Sequence, residues 1–536
     1  MNPRHVPLVK PRFLLVASFL AVGAGALAFR LPLLGRRPMH ADEAVQAAIF
    51  RDLWQHGRYE YDPDEFHGPT LPYATLPSAW LGDAETFAET SEATYRIVPV
   101  LFGVGTVLLV GLLADGLGRP AAVSAAVLLA VSPAMVFYSR YYIHETLLVF
   151  FTLAAIGFGW RWVQTGRLAW CLRCGACVGL MQATKETAVI AYAAAALGVV
   201  LVWLSGGLSR FSRSENGTVP LQEAPRRPWW HWPLGLGAAL LVAGFLYSST
   251  FTNPRGPVDA VLTYVTWLGR AGGETPHVHP WHEYLHRLGY WRLGDGPWWS
   301  EGLILGLAVV GLVVSWLPGK RLLAGASVPL VRWLGFYTVA TVAVYSAIPY
   351  KTPWCVLTML QGMALLAGVG TVALVRAVPT RPLKVFAGLL LLAPAGHLGW
   401  QAYRASYVMP AHPSNPYVYA QTSPGVEQLA RKVDELAQAS LDGYATPVKI
   451  LWRDGYYWPL PWYLRRFEHV EPRTKVPDDP AAPIVIASPE HNAALDRRLG
   501  STHRMTDFYE VRPQVFAMLW VRKDLWDAHL RQLGRL

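Results

Sequence analysis

Two adjacent carboxylates stand at the head of an amphipathic stretch. His40-Ala41-Asp42-Glu43-Ala44 runs on into Val45, Ala48, Ile49 and Leu53 at helical spacing, which predicts a helix on a membrane surface with both acids in its first turn. Acids there complement the helix dipole in any protein, so their company decides what they mean. That company is Glu65-Phe66-His67-Gly68-Pro69, Tyr138-Ser139-Arg140-Tyr141-Tyr142-Ile143-His144-Glu145, Thr184-Lys185-Glu186-Thr187 and Pro349-Tyr350-Lys351-Thr352-Pro353-Trp354. Ionisable groups at the edge of hydrocarbon are costly and are kept for function. One acid with several cations suits group transfer from a phosphate: the leaving phosphate needs cations rather than a general acid, and the attacking hydroxyl needs a base. Asp42, with Glu43 beside it, is the expected catalytic acid pair and Asp42 the general base. Arg140, Lys185 and Lys351 are the expected phosphate clamp, Tyr350 adjoins it, and His67 and Glu145 are orienting or metal-assisting groups.

A second motif competes. His282-Glu283-Tyr284-Leu285-His286 fits the H-E-x-x-H pattern of zinc hydrolases, making His282 and His286 candidate metal ligands, with Asp295 or Glu301 as a third. Its surroundings, His277-Val278-His279-Pro280-Trp281, are rich in His and aromatic residues, which favours chance and an interfacial helix covering the site. No cofactor follows from the sequence, and a divalent metal ion is left open. Cys171, Cys174 and Cys177 share the spacing of a metal site, but inside an apolar helix with no fourth ligand that spacing is structural.

The elements that position these residues follow from composition. With 53% hydrophobic and 15% charged residues over 536, the chain belongs in a bilayer. Its net charge of +11 is spread over loops rather than gathered on one face, so no nucleic-acid partner is expected. Apolar windows near 13–34, 95–117, 120–138, 146–163, 168–183, 187–206, 232–249, 299–317, 328–348, 354–375 and 383–403 predict about eleven crossings. The first follows Arg4, Lys10 and Arg12 but is too long for a signal peptide and lacks a clear cleavage site.

With the N-terminus inside, Arg119, Arg161, Arg167, Arg210, Arg213, Arg226, Arg227, Lys320, Arg321, Arg376 and Arg381 fall in inner loops, as the positive-inside rule asks. The expected organisation is a polytopic α-helical membrane unit over 1–403, with outer loops 35–94 and 251–298, and a small extracytoplasmic α/β domain over 404–536. In that domain Val426, Leu429, Val433 and Leu436 mark a helix, and 448–452, 484–487 and 515–521 mark strands.

The long acidic first loop, the second acidic turn, the span number and the C-terminal domain together resemble the superfamily C glycosyltransferases, which include protein O-mannosyltransferases and aminoarabinose transferases. "HADEA", "EFHGPTLPY", "YSRYYIHETLLVFFT", "TKET", "PYKTPW", "NPYVYAQT" and "PLPWYLR" look like the bacterial and archaeal flippase-activity-associated membrane proteins. The resemblance implies a polyprenyl-phosphate-linked sugar donor, inverting transfer to a protein, glycan or lipid acceptor, a catalytic acid matching Asp42, and an inner-membrane location. A lipid-linked sugar flippase is the second reading. Against it, transporters place charges near the midplane and show repeated halves, neither of which is visible here.

Overall fold

The computed structural model describes residues 11–206, 227–272, 277–318, 321–323 and 325–536. Arg4, Lys10, Arg210, Arg213, Arg226 and Lys320, used above for topology, lie outside them. Among the described residues every apolar window is helical. The elements are α1 (Pro11–Arg30), α2 (Ala41–His56), α3 (Thr70–Trp80), α4 (Glu92–Leu109), α5 (Arg119–Val131), α6 (Pro133–Tyr138), α7 (Glu145–Thr165), α8 (Leu168–Gln182), α9 (Ala188–Leu204), α10 (His231–Tyr247), α11 (Gly256–Gly272), α12 (Glu283–Gly289), α13 (Gly302–Val314), α14 (Val328–Ala347), α15 (Val356–Ala377) and α16 (Arg381–Tyr403).

Among the described residues six helical stretches are long and apolar enough to cross a membrane: Phe13–Arg30, Glu92–Leu117, Glu145–Thr165, Val328–Ala347, Pro353–Ala377 and Arg381–Val408. The five shorter apolar helices are α5, α8, α9, α10 and α13. The window at 120–138 breaks because Pro133 has no N–H to continue the ladder, and Ser132 caps the new helix by accepting from Met135 N–H at 3.3 Å.

Burial runs opposite ways in the last two spans. The window in Pro353–Ala377 is 89% buried and that in Arg381–Val408 only 6%, so α15 is the central helix and α16 turns Val385, Phe386, Leu389 and Leu390 outward, to lipid. α13 and α15 touch backbone to backbone. A Cβ on Gly311 would sit 2.1 Å from Leu366 O, and one on Gly370 would sit 2.0 Å from Leu307 O; only glycine allows that approach.

After α16 the chain turns back along the helix ends. Tyr417 OH donates to Glu301 at 2.9 Å, and Thr422 OH to Met39 O at 2.7 Å. α17 (Gly425–Ala439) then packs Val426, Leu429, Val433 and Leu436 on a five-stranded sheet ordered β2-β1-β3-β5-β4. Its strands are β1 (Val448–Leu451), β2 (Val470–Arg473), β3 (Ile484–Ala487), β4 (His503–Arg512) and β5 (Val515–Arg522). β1 runs parallel to β2 and β3, while β5 is antiparallel to β3 and β4. The molecule is thus a polytopic helical protein carrying a small α/β unit.

Candidate active site

α2 presents its two acids in opposite settings. His40 caps the helix: its Nδ1 accepts from Asp42 N–H at 3.1 Å, while Nε2–H donates to Tyr419 O at 2.9 Å. Burial lowers the His40 imidazolium below its ordinary range, so the ring is neutral. The 3.8 Å approach of Asp42 to Nδ1 is therefore no ion pair. Asp42 keeps 49% of its side chain exposed and its charge uncompensated there.

Glu43 is fully buried. Its carboxylate receives Arg37 Nη2 at 2.9 Å, Arg96 Nε and Nη2 at 2.8 and 2.7 Å, Tyr142 N–H at 2.9 Å and His40 N–H at 3.0 Å. Burial alone would raise this carboxyl, but the Arg37 and Arg96 guanidiniums overcome it and hold the group at about 2. With every lone-pair direction occupied, Glu43 cannot take a proton from a substrate. The expectation of a catalytic pair is corrected: Glu43 is a structural clasp that fixes the first turn of α2 against α4.

Around Asp42 three distant stretches of chain converge. Its charge acts on His277 of the second long loop, on Tyr419 of the returning segment and on Arg512 at the end of β4. His277 hydrogen-bonds Tyr419 OH and lies 4.8 Å from the Tyr350 ring. Trp354 meets Tyr419 at 5.9 Å, and Tyr141 meets the His40 ring at 5.3 Å. Asp42 thus stands half exposed beside a group of aromatic rings.

The remaining expected residues separate into three fates. His67 pairs with Glu186 at 2.9 Å, stacks on Trp267 at 4.9 Å and meets His144 at 5.3 Å. Lys185 is buried in an ion pair with Glu145. Lys351 is 2% exposed, donates to Ile348 O, lies 5.9 Å from the Tyr284 ring and has no carboxylate at salt-bridge distance among the described residues. Arg140 is elsewhere. It donates to Arg30 O, to Pro32 O at 2.7 Å, to Leu33 O at 3.2 Å and to Tyr407 OH at 3.0 Å, so it neutralises the carbonyl end of α1. Its expected place in a phosphate clamp is corrected.

The zinc-hydrolase pattern does not assemble. Glu283, which would be the base, binds Arg287 at 2.6 Å, and Arg287 donates on to Pro416 O. Glu301, a proposed third ligand, accepts from Ser132 OH at 2.6 Å, Ala134 N–H at 2.9 Å and Tyr417 OH. Among the described residues no group of three His, Cys, Asp or Glu is placed to hold a metal. Sequence reasoning missed Arg37, Arg96, Trp267 and Arg512, and gave no role to Glu186 and Tyr419, which stand in "TKET" and "NPYVYAQT". Arg96 alone carried a signal, as a cation in the first turn of an apolar span.

The sequence profile of the family described as dolichyl-phosphate-mannose-protein mannosyltransferase, PMT, matches residues 75–253. ArnT from Cupriavidus metallidurans, solved in the apo state, superposes with a TM-score of 0.60 at 15% identity over 95% of this chain and 98% of that one. The same protein bound to undecaprenyl phosphate gives 0.59 at 15% over 95% and 97%. The Archaeoglobus fulgidus oligosaccharyltransferase tethered with an acceptor peptide gives 0.52 at 14% over 86% of this chain and 64% of that one. No curated protein matches the chain. At such identities the likeness is one of architecture, and it spans both the helical part and the C-terminal sheet: the chain is a multi-pass membrane protein with the fold of the superfamily C glycosyltransferases.

Proposed function

We propose that this chain transfers a sugar from a polyprenyl-phosphate donor to an acceptor hydroxyl at the non-cytoplasmic face, with Asp42 as general base. The acceptor oxygen forms a bond to the anomeric carbon as its proton passes to Asp42. The bond from that carbon to the phosphate oxygen breaks, and the polyprenyl phosphate leaves as an anion. The observation that carries the reading is the contrast within α2: Asp42 is half exposed and uncompensated by His40 beside a group of aromatic rings, whereas Glu43 next to it is locked.

Lys351 is the phosphate partner this geometry favours. Arg140 is consumed by backbone carbonyls and Lys185 by Glu145, while burial lowers the Lys351 ammonium, and an incoming phosphate would relieve that cost. Lys185, Glu145, His67 and Tyr350 shape the adjoining wall. The undecaprenyl phosphate in ArnT and the dolichyl phosphate in the family description support a polyprenyl-phosphate donor. The orientation that goes with this has the N-terminus in the cytoplasm of a cell with this inner membrane, the unit 1–403 spanning it, and the α/β unit 404–536 outside.

Membranes carrying the chain, supplied with radiolabelled polyprenyl-phosphate sugars, are expected to glycosylate an acceptor. Asp42→Asn should abolish transfer with donor binding kept, and Lys351→Met should weaken donor binding by about tenfold, the loss of one charge-assisted hydrogen bond. Full transfer by Asp42→Asn would remove the base assignment. Movement of lipid-linked sugar across vesicles with no transfer would replace the enzyme by a flippase.

A further inference from the structure

A cavity lies between the C-terminal half of α2, the 58–66 segment and the start of α11. Its volume is about 830 Å³. Ile49, Asp52 and His56 line it from α2. They stand seven, ten and fourteen residues beyond Asp42 and so share its side of the helix, with Ile49 on the order of 10 Å along the axis from it. The cavity also abuts the His67 cluster: Tyr61 OH donates to Glu186 at 3.3 Å, and Tyr59 OH to His67 O at 3.1 Å.

Two of the polar side chains that line it are largely buried. Asn253 is 8% exposed and its carboxamide has no hydrogen-bond partner among the described residues. Asp259 is 5% exposed, and its one ion pair, 3.2 Å to Arg255, is with a side chain that is itself 79% exposed. The Asn253 carboxamide therefore keeps its hydrogen-bonding capacity for whatever occupies the cavity. The charges around them select the ligand. Asp52, Glu60 and Asp259 are paired with Arg51, Arg58 and Arg255, which leaves Asp62 as the one lining carboxylate with no ion pair among the described residues, so the cavity is close to neutral and has no free cation to draw an anion. Carboxylates and a carboxamide beside the apolar surfaces of Phe66, Pro63 and Ile49 suit a molecule that is rich in hydroxyls, uncharged, and apolar on its C–H face.

We propose that this cavity is the subsite for the neutral sugar residues of the acceptor, holding a glycan whose reacting hydroxyl reaches Asp42. The proposal rests on the glycosyltransferase reading and narrows its acceptor to a carbohydrate-bearing one. It is tested on the full chain in lipid nanodiscs, by saturation-transfer NMR with three neutral trisaccharides, of glucose, galactose and mannose, and with inorganic phosphate as competitor. At least one trisaccharide should bind. Asn253→Ala and Asp259→Asn should each weaken it about tenfold or more, as loss of one or two ligand hydrogen bonds implies, and phosphate should not displace it. In transfer assays Asn253→Ala should raise the acceptor KM with kcat kept. If Asn253→Ala does not fold, Asp62→Asn on the other wall gives the same readout. Absence of trisaccharide binding in a chain that transfers sugar, undiminished binding in the variants, or displacement by phosphate overturns the subsite. Trisaccharide binding in a chain that transfers no sugar from any donor overturns the glycosyltransferase reading and leaves the subsite standing.

Discussion

The clasp at Glu43 and the exposed acid at Asp42 begin one residue apart and end as opposites. Successive positions on a helix are rotated by about 100°, which turns Glu43 inward onto Arg37 and Arg96 and leaves Asp42 on the open side with His277, Tyr419 and Arg512. In the clasp, two guanidiniums and two backbone N–H groups saturate one carboxylate, so its proton affinity is too low for catalysis at neutral pH. At Asp42, the neighbouring histidine is neutral and the acid retains its lone pairs. A rigid clasp one residue away is what allows a half-exposed side chain to be held in a fixed position.

Substitution separates the two regions most sharply through rate. Asp42→Asn removes the proposed base and is expected to cost about 10²- to 10⁴-fold in transfer, while unfolding in detergent stays within about 0.5 kcal/mol of the native chain, as for a surface change. Loss of rate together with loss of fold would mean that Asp42, like its neighbour, is structural.

Glu43→Gln should do the reverse. It leaves two guanidiniums short of a buried counter-charge, at about 3–5 kcal/mol, seen as a lowered unfolding midpoint, with transfer per folded molecule retained. A stable Glu43→Gln protein without transfer would return Glu43 to the reacting centre. The clasp also has a pH signature. The folded-state carboxyl sits at about 2, below its ordinary 4.5, so its contribution is fully present above 4.5 and is lost as pH falls from 4.5 towards 2. Glu43→Gln should flatten acid unfolding across that window, and Asp42→Asn should leave it steep.

The division between these acids was not legible along the chain, because it depends on Arg96, 53 residues away. The helices were legible because lipid-facing apolarity is a local property: the window at 383–403 reads as a span from its own residues. The sheet divides the same way. β1, β3 and β5 are central and carry runs such as Ile484-Val485-Ile486-Ala487, all buried. The edge strands β2, Val470-Glu471-Pro472-Arg473, and β4, with buried and exposed residues mixed irregularly, lack a continuous apolar run, so only their pairing reveals them. Arg140 was misplaced for a related reason: a cation in a short turn can face a ligand or the carbonyl end of a helix, and sequence spacing does not distinguish the two.

Arg140 therefore sharpens the comparison at a smaller scale. Arg140→Met should lower stability by about 1–3 kcal/mol through the orphaned carbonyls of α1, with donor KM unchanged, whereas Lys351→Met should change donor binding and leave the unfolding midpoint near native. A donor KM that rises in Arg140→Met would restore it to the phosphate clamp.

The smallest effect is expected at His282. The ring is exposed, Glu283 beside it already holds Arg287, and Glu301 is occupied by Ser132, Ala134 and Tyr417. Nothing around Asp42 or in the Glu43 clasp passes through it, so His282→Ala should leave both transfer and unfolding within the spread of a surface substitution, about 0.5 kcal/mol. Elemental analysis of the purified chain gives the contrary outcome a definite form: one zinc per chain in the native protein that is lost with His282→Ala, accompanied by loss of activity, would require the second long loop to rearrange into a metal site and would move the chemistry away from α2.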